Sequence, residues 1–230
     1  MAPKAPAEVI VAAANGAPDE RPAPAELLAA IVALPGAPAS REHYLDALAG
    51  GGAPGRKWRL LYAAGKGAVK SARQARKRGS SAPSWLEAVS DTLLPWKRLR
   101  HGLYLDEYIT AVQRFDASCF ENENGIYAVG GSEFARLSVR GPFKWPDAEK
   151  RSVCAFQPTI ARCQLGEWAW EFPMDASAAA LWSTQPNEAP PSFDDAPVTK
   201  LPFFKFLRVD DSVAVAQGRS GGVAVWVRSE

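Results

Sequence analysis

The sequence predicts a mainly β fold, an antiparallel barrel or closed sandwich, on three observations. Beyond residue 103 the chain breaks into short runs in which apolar and polar residues alternate, the period of a half-buried strand. Those runs are bounded by Gly and Pro, and the nineteen Pro and eighteen Gly suit turns better than a long helical bundle. Roughly six to nine such strands with short connections argue closure of the sheet rather than an α/β enzyme. At 230 residues and 47% hydrophobic composition, the chain is one β-rich domain with an extension, or at most two small domains.

The first 23 residues are Ala/Pro-rich and read as a flexible arm. Their Glu8, Asp19 and Glu20 against Lys4 and Arg21 do not fit an acid-poor transit peptide, so no targeting peptide is evident. Residues 24–230 form the predicted domain. Its helical entry, residues 24–50, holds Leu27, Leu28, Ile31 and Leu34 at helical spacing, stopped by Pro35-Gly36. A second helix runs from Ser40, an N-cap candidate, to Leu48. The first strand is Gly55–Tyr62, with Trp58, Leu60 and Tyr62 expected toward the core and Lys57 and Arg59 away from it.

Residues 65–101 read as a basic helical insertion. Residues 66–78 carry Lys66, Lys70, Arg73, Arg76, Lys77 and Arg78 without one acid, and Lys97, Arg98 and Arg100 follow a predicted amphipathic helix at Ser84–Leu94. Arg56–His101 holds twelve Lys/Arg against two acids in a chain of net charge +2, so the remainder is acidic. The expectation is one basic docking face for an acidic surface, with a merely solvated face as the plainer alternative. Nucleic acid ranks below lipid head groups because no RNP-like or KH-like pattern accompanies the charges.

Strands are then predicted at Leu103–Ser118, Gly125–Gly130, Ser132–Lys144, Arg151–Gln157, Thr159–Leu165 and Trp168–Phe172, with Asn122–Gly125 as a hairpin turn. Residues 175–200 form a Pro-rich loop, anchored by Leu181, Trp182 and Phe193 and long enough for a lid or docking loop. The chain ends on Phe204–Val209, Val213–Gln217 and Val223–Arg228, joined through Asp210-Asp211 and Gly218–Gly222.

That ending (an aromatic strand, an acidic pair, a short strand, a Gly-rich turn and an aliphatic strand closing in Arg228) resembles the C-terminus of the plastid lipid-associated (PAP/fibrillin) proteins. The family's Arg-Gly is replaced here by Gln217-Gly218. A second point of resemblance is Gly55-Arg56-Lys57-Trp58-Arg59-Leu60-Leu61-Tyr62, similar to the family's first strand and to the Gly-x-x-Trp of lipocalin-like barrels. The resemblance implies an antiparallel lipocalin-like (calycin-type) β-barrel preceded by short helices. It further implies a plastid protein of the thylakoid or plastoglobule surface, associated with photosynthesis, with no catalytic residue and no covalent cofactor. The implied ligand is a lipid, carotenoid or other isoprenoid. The alternative is an accessory subunit docked on a photosystem or antenna complex through the basic face and the N-terminal arm.

Residue chemistry points the same way. The only histidines, His43 and His101, have no Ser or Cys at motif spacing, and Gly50–Gly55 lacks the Lys-Ser/Thr of a phosphate loop. Glu167 and Glu171 bracket Trp168-Ala169-Trp170, a pairing that serves acid–base chemistry but more often lies on a strand's solvent face. Cys119, Cys154 and Cys163 show no metal spacing; free thiols are the ordinary state, a Cys154–Cys163 bridge the alternative. Eight Trp and ten Phe exceed what filling a core requires; a filled barrel with a belt of exposed rings is the plainer reading, and an apolar cavity lined by aromatics is the functional one. Its candidate lining is Trp58, Leu60, Tyr62, Tyr108, Phe134, Phe156, Trp170, Phe206 and Trp226.

Overall fold

Antiparallel pairing organises the chain. The computed structural model describes residues 4–36, 41–50, 55–79, 101–106, 110–116, 121–127, 135–145, 152–174 and 192–229. Within them lie helices α1 (Pro6–Asn15), α2 (Pro24–Ala33), α3 (Arg41–Ala49) and α4 (Lys66–Lys77). The strands are β1 (Arg56–Ala64), β2 (Leu103–Tyr104), β3 (Thr110–Asp116), β4 (Glu121–Tyr127), β5 (Ala135–Lys144), β6 (Val153–Phe156), β7 (Ile160–Leu165), β8 (Trp168–Pro173), β9 (Phe203–Val209), β10 (Val213–Gly218) and β11 (Val223–Ser229). They pair in the order β4-β3-β1-β11-β10-β9-β6-β5-β7-β8, β2 adds to β1, and β4 also pairs with β5. The fold is thus mainly β and antiparallel with a few helices, as expected.

Two cores lie on opposite faces of this sheet, and side-chain size decides which is which. In β10, Val213 and Val215 point to one face, Ala214 and Ala216 to the other, and all four are buried. In β11, Val223, Val225 and Val227 share the valine face, while Ala224 and Trp226 share the alanine face. Helices α1, α2 and α4 cover the valines, through Val9, Ile10, Leu27, Leu28, Ile31 and Val69. On the alanine face the small residues leave room for rings: Trp58, Phe115, Phe143, Trp145, Phe206 and Trp226 pack there with Tyr44 and Leu48 of α3. We call these the helical face and the aromatic face.

The N-terminal residues are not a flexible arm: α1 buries Val9, Ile10 and Ala13 completely or nearly so. Pro6 opens the helix, and the Glu8 carboxylate accepts the Ala5 amide at 3.0 Å, satisfying an end-group donor. The turn into α2 is fastened by charge. Arg21 grips Asp106 with two nitrogens at 3.0 and 2.9 Å, and Arg59 of β1 donates to the same carboxylate at 2.9 Å. Arg21 and Asp106 are each 8% exposed, so water screens this pair little. Tyr104 adds a hydroxyl bond to the Pro22 carbonyl at 2.8 Å and lies under the Arg21 guanidinium.

Three further expectations are corrected. Trp58 and Tyr62 do not share a face: the register of β1 against β11 slips between Leu60 and Tyr62, a bulge that turns Tyr62 to the helical face beside Tyr104. Asn122–Gly125 is no turn, because β4 runs through it paired on both edges, to β3 and to β5. The separate strands at Arg151–Gln157 and Thr159–Leu165 lie end to end along one edge of β5. Between them the chain bulges over Gly141, where a Cβ would collide with the Gln157 carbonyl. The predicted helix at Ser84–Leu94, together with Leu181 and Trp182, lies outside the described residues.

Trp58 donates its indole N–H to the Leu48 carbonyl at 2.8 Å and is 1% exposed. Trp58→Ala should cost roughly 3–5 kcal/mol, the range for truncating a buried aromatic; a urea unfolding midpoint equal to wild type would remove Trp58 from the core. Asp106→Ala leaves Arg21 buried without its carboxylate, and a loss of about 3 kcal/mol is expected in the same measurement. A protein equally stable without Asp106 would mean that the α1–α2 turn is held by packing alone.

Candidate functional site

The aromatic core is built from alternate residues of neighbouring strands. Leu60 stands opposite Trp226, and Trp226 opposite Ala214. Phe206 pairs with Ala216 on β10, and Phe143 pairs with Phe156 of β6. The rings touch in series: Phe115 meets Phe143 edge-on at 5.7 Å, Phe206 stacks on Trp145 at 5.7 Å, and Phe204 meets Trp226 at 5.4 Å. Helix α3 sits against one end of this array. Its final carbonyls are held from β1, where Arg56 donates to Ala47 at 2.9 Å and Trp58 to Leu48.

Of the nine residues expected to line a cavity, Trp58, Leu60, Phe156, Phe206 and Trp226 do converge here. Tyr62 is on the other face, its hydroxyl donating to the His101 carbonyl, with its pKa pushed up by burial. Trp170 lies on β8, well outside the packed array and about half exposed. Tyr108 and Phe134 lie outside the described residues.

Two polar groups inside the array went unnoticed in the sequence. Gln113 stands opposite Trp58, between Ala111 and Phe115 on the inward side of β3, and is 2% exposed. Its amide nitrogen has no hydrogen-bond partner among the described residues, and neither has the hydroxyl of Tyr44, held between Trp145 and Phe206. Burial pushes the Tyr44 pKa up, which keeps the hydroxyl protonated as a donor. A buried donor without an acceptor costs about 1–3 kcal/mol, so each such group calls for a partner. Gln113 was legible in principle as the one polar residue in an inward series of apolar ones. Tyr44 also borders a cleft of about 330 Å³ with Pro6, Leu34, Pro35, Leu207 and Val209.

Of the basic residues of residues 66–78, five lie on α4 and Arg78 caps its C-terminus, and all six are exposed. The helix docks on the rest of the chain through Ala68 and Val69, with Ala72 partly buried beside them. Lys66, Lys70, Arg73 and Lys77 recur at i, i+4, i+7 and i+11 and so form one stripe along it. Arg76 lies off the stripe and donates to the Val32 carbonyl at the end of α2, 2.8 Å away. Lys97, Arg98 and Arg100 lie outside the described residues.

Cys154 is buried in the aromatic core, its thiol pKa raised by burial, while Cys163 is exposed on β7; both are free thiols. Among the described residues no three His, Cys, Asp or Glu side chains gather as a metal site, and no helix is long and apolar enough to cross a membrane. Residues 192–201 are tied down: Lys144 donates to the carbonyls of Phe193, Asp194 and Ala196, and Val198 and Leu201 are buried. Compared with family models, curated proteins and solved structures, the chain finds no match.

Proposed function

We propose that this chain is a non-enzymatic binding protein for a lipid, isoprenoid or carotenoid-type molecule, taken up at the aromatic face of a lipocalin-like barrel. The observation that carries the reading is the pair of unpartnered donors, Gln113 and Tyr44, inside an otherwise apolar array of rings. A molecule with an apolar body and one oxygen-bearing end satisfies both conditions, covering the rings and accepting from the amide or the hydroxyl. Barrel closure is supported by the β4–β5 ladder, since β1, β3, β4, β5, β6, β9, β10 and β11 then each have a partner on both edges. Membership of the PAP/fibrillin type, and with it a plastid address at thylakoids or plastoglobules, is supported by adjacency. The two segments that resemble the family, Gly55–Tyr62 and Leu201–Arg228, pair with each other, Trp58 opposite Arg228.

The test is native purification followed by solvent extraction and mass spectrometry, on wild type and on Gln113→Met. Wild type is expected to carry a stoichiometric apolar molecule. The Met variant should lose most of it while unfolding no earlier, because replacing an unsatisfied buried amide by an apolar group of similar shape is neutral or stabilising. Empty wild type, or a variant that retains its ligand, would overturn the reading.

The basic stripe of α4 favours a second reading, an accessory subunit docked on an anionic lipid surface or on a photosynthetic membrane complex. The N-terminal arm no longer contributes to it, since α1 is part of the core. Each Lys or Arg near an anionic membrane contributes about 1 kcal/mol, screened over a Debye length of ~8 Å at physiological salt. Replacing Lys66, Lys70, Arg73 and Lys77 by Gln should leave the fold intact. Co-sedimentation with anionic vesicles or thylakoid complexes should fall several-fold, and wild-type binding should weaken as salt rises. Equal sedimentation of both forms would return α4 to the role of a solvated helix.

A further inference from the structure

We propose that the apolar face shared by β5, β7 and β8 is a self-association surface that takes a second copy of this chain. Strand β8 pairs only with β7 among the described residues, and β7 with β5, so these strands form a wing beyond the bulge at Gly141. In register, Ala135 stands opposite Leu165, Leu137 opposite Cys163 and Val139 opposite Ala161. On the next pair, Leu165 stands opposite Trp168, Cys163 opposite Trp170 and Ala161 opposite Phe172. Opposed residues share a face, so all nine lie together, and none is charged. Val139 is two and four residues from Gly141 and Phe143, so this face continues the aromatic one beyond its packed part.

What distinguishes the wing is that, among the described residues, nothing covers it. Leu137 is 57% exposed, Leu165 49%, Trp168 70%, Trp170 45% and Phe172 55%. With 150–250 Å² on each large aromatic, these five residues leave on the order of 600 Å² of apolar surface open, the upper end for a soluble monomer. Two such faces together remove on the order of 1,200 Å² from water, the threshold of a specific interface.

Shape and charge select a second copy over other occupants. Trp168, Trp170 and Phe172 make a ridge along β8, and Trp168 and Trp170 stack on one another at 6.4 Å. Beside it, Ala161 and Cys163 of β7 make a furrow along Phe172 and Trp170, closed at the Trp168 end by Leu165. A two-fold axis lays the ridge of each copy into the furrow of the other, the self-complementarity that a closed dimer requires. An anionic bilayer or a nucleic acid would call for cations beside the rings, and the turn at the tip of the wing carries Glu167 instead. The arginines of the wing, Arg136, Arg140 and Arg162, project from the reverse face, where Glu171 lies 3.8 Å from Arg140 and 3.5 Å from Arg162. They take no part in the contact when the apolar faces meet.

The proposal is independent of the ligand reading and is tested on the full chain by sedimentation velocity across the micromolar range. Wild type is expected to show a concentration-dependent dimer. Trp168→Ser/Trp170→Ser, changed only at exposed positions, should sediment as a monomer with the wild-type unfolding midpoint. Leu137→Lys, a single charge placed on the same face, should do so too and covers the case in which the double variant misfolds. A wild type that is monomeric throughout overturns the proposal. So does a dimer that survives both sets of substitutions, or a monomer that binds uncharged phosphatidylcholine vesicles through Trp168.

Discussion

The β10–β11 ladder, buried on both of its faces, is the constraint from which the rest follows. A sheet covered on one side only needs alternation; one covered on both needs apolar residues throughout, sorted by size. The run from Val213 to Ala216 and its partner from Val223 to Val227 meet that demand with valine on one side and mainly alanine on the other. Branched side chains present an even surface on which helices seat. Alanines present hollows, and the rings of Phe206 and Trp226 fill them. The bulge at Leu61 then hands β1 from one side to the other: Trp58 and Leu60 serve the rings, Leu61 and Tyr62 the helices. A strand without that extra residue would place Tyr62 among the rings and leave the α1–α2 pair without the floor it rests on.

Charge is used sparingly and at joints. Asp106 ties the N-terminal helices to β1 through Arg21 and Arg59, in surroundings where an unpaired charge would be costly. Asp210 organises the β9–β10 turn: burial raises its pKa, but the amides of Ser212 and Val213, the Ser212 hydroxyl and Arg208 outweigh this and hold it below the usual carboxylate range. Lys144 gathers three carbonyls of the segment that precedes β9. The stripe on α4 is different in kind, since its lysines stand in solvent while the helix is held by Ala68 and Val69. It is a surface added to the fold and can change without disturbing it.

The route by which the sheet leaves its own core is equally specific. Along β5 the partner changes from β6 to β7, and Gly141 is what allows it, because the Gln157 carbonyl occupies the space a side chain would need. On one side of that point the apolar face is packed with rings. On the other it is open, and its alternation of large and small columns belongs to no contact within the described residues. One continuous face thus offers two surfaces, a lined interior with two idle donors and, past Gly141, an uncovered ridge beside a furrow.

Much of this chain was legible as written. Period-two runs marked most of the strands, Pro24 and Pro35-Gly36 marked the ends of α2, and the acid-free stretch after Ala64 marked an exposed basic helix. Trp58, Leu60, Phe156, Phe206 and Trp226 were placed on one face because alternation is a property of the backbone and survives any fold. The failures share a cause. A bulge is one residue of register, invisible in composition, and it alone moved Tyr62 to the other side. Asn124-Gly125 has the chemistry of a turn, yet pairing on both edges of β4 outweighed it. The first residues looked like an arm because Ala and Pro bury little surface each, and only the valines of the sheet made Val9 and Ile10 worth docking. Sequence determined which faces are apolar; only the tertiary structure decided which of them meet, because register, bulges and the covering of one element by another depend on residues far apart in the chain.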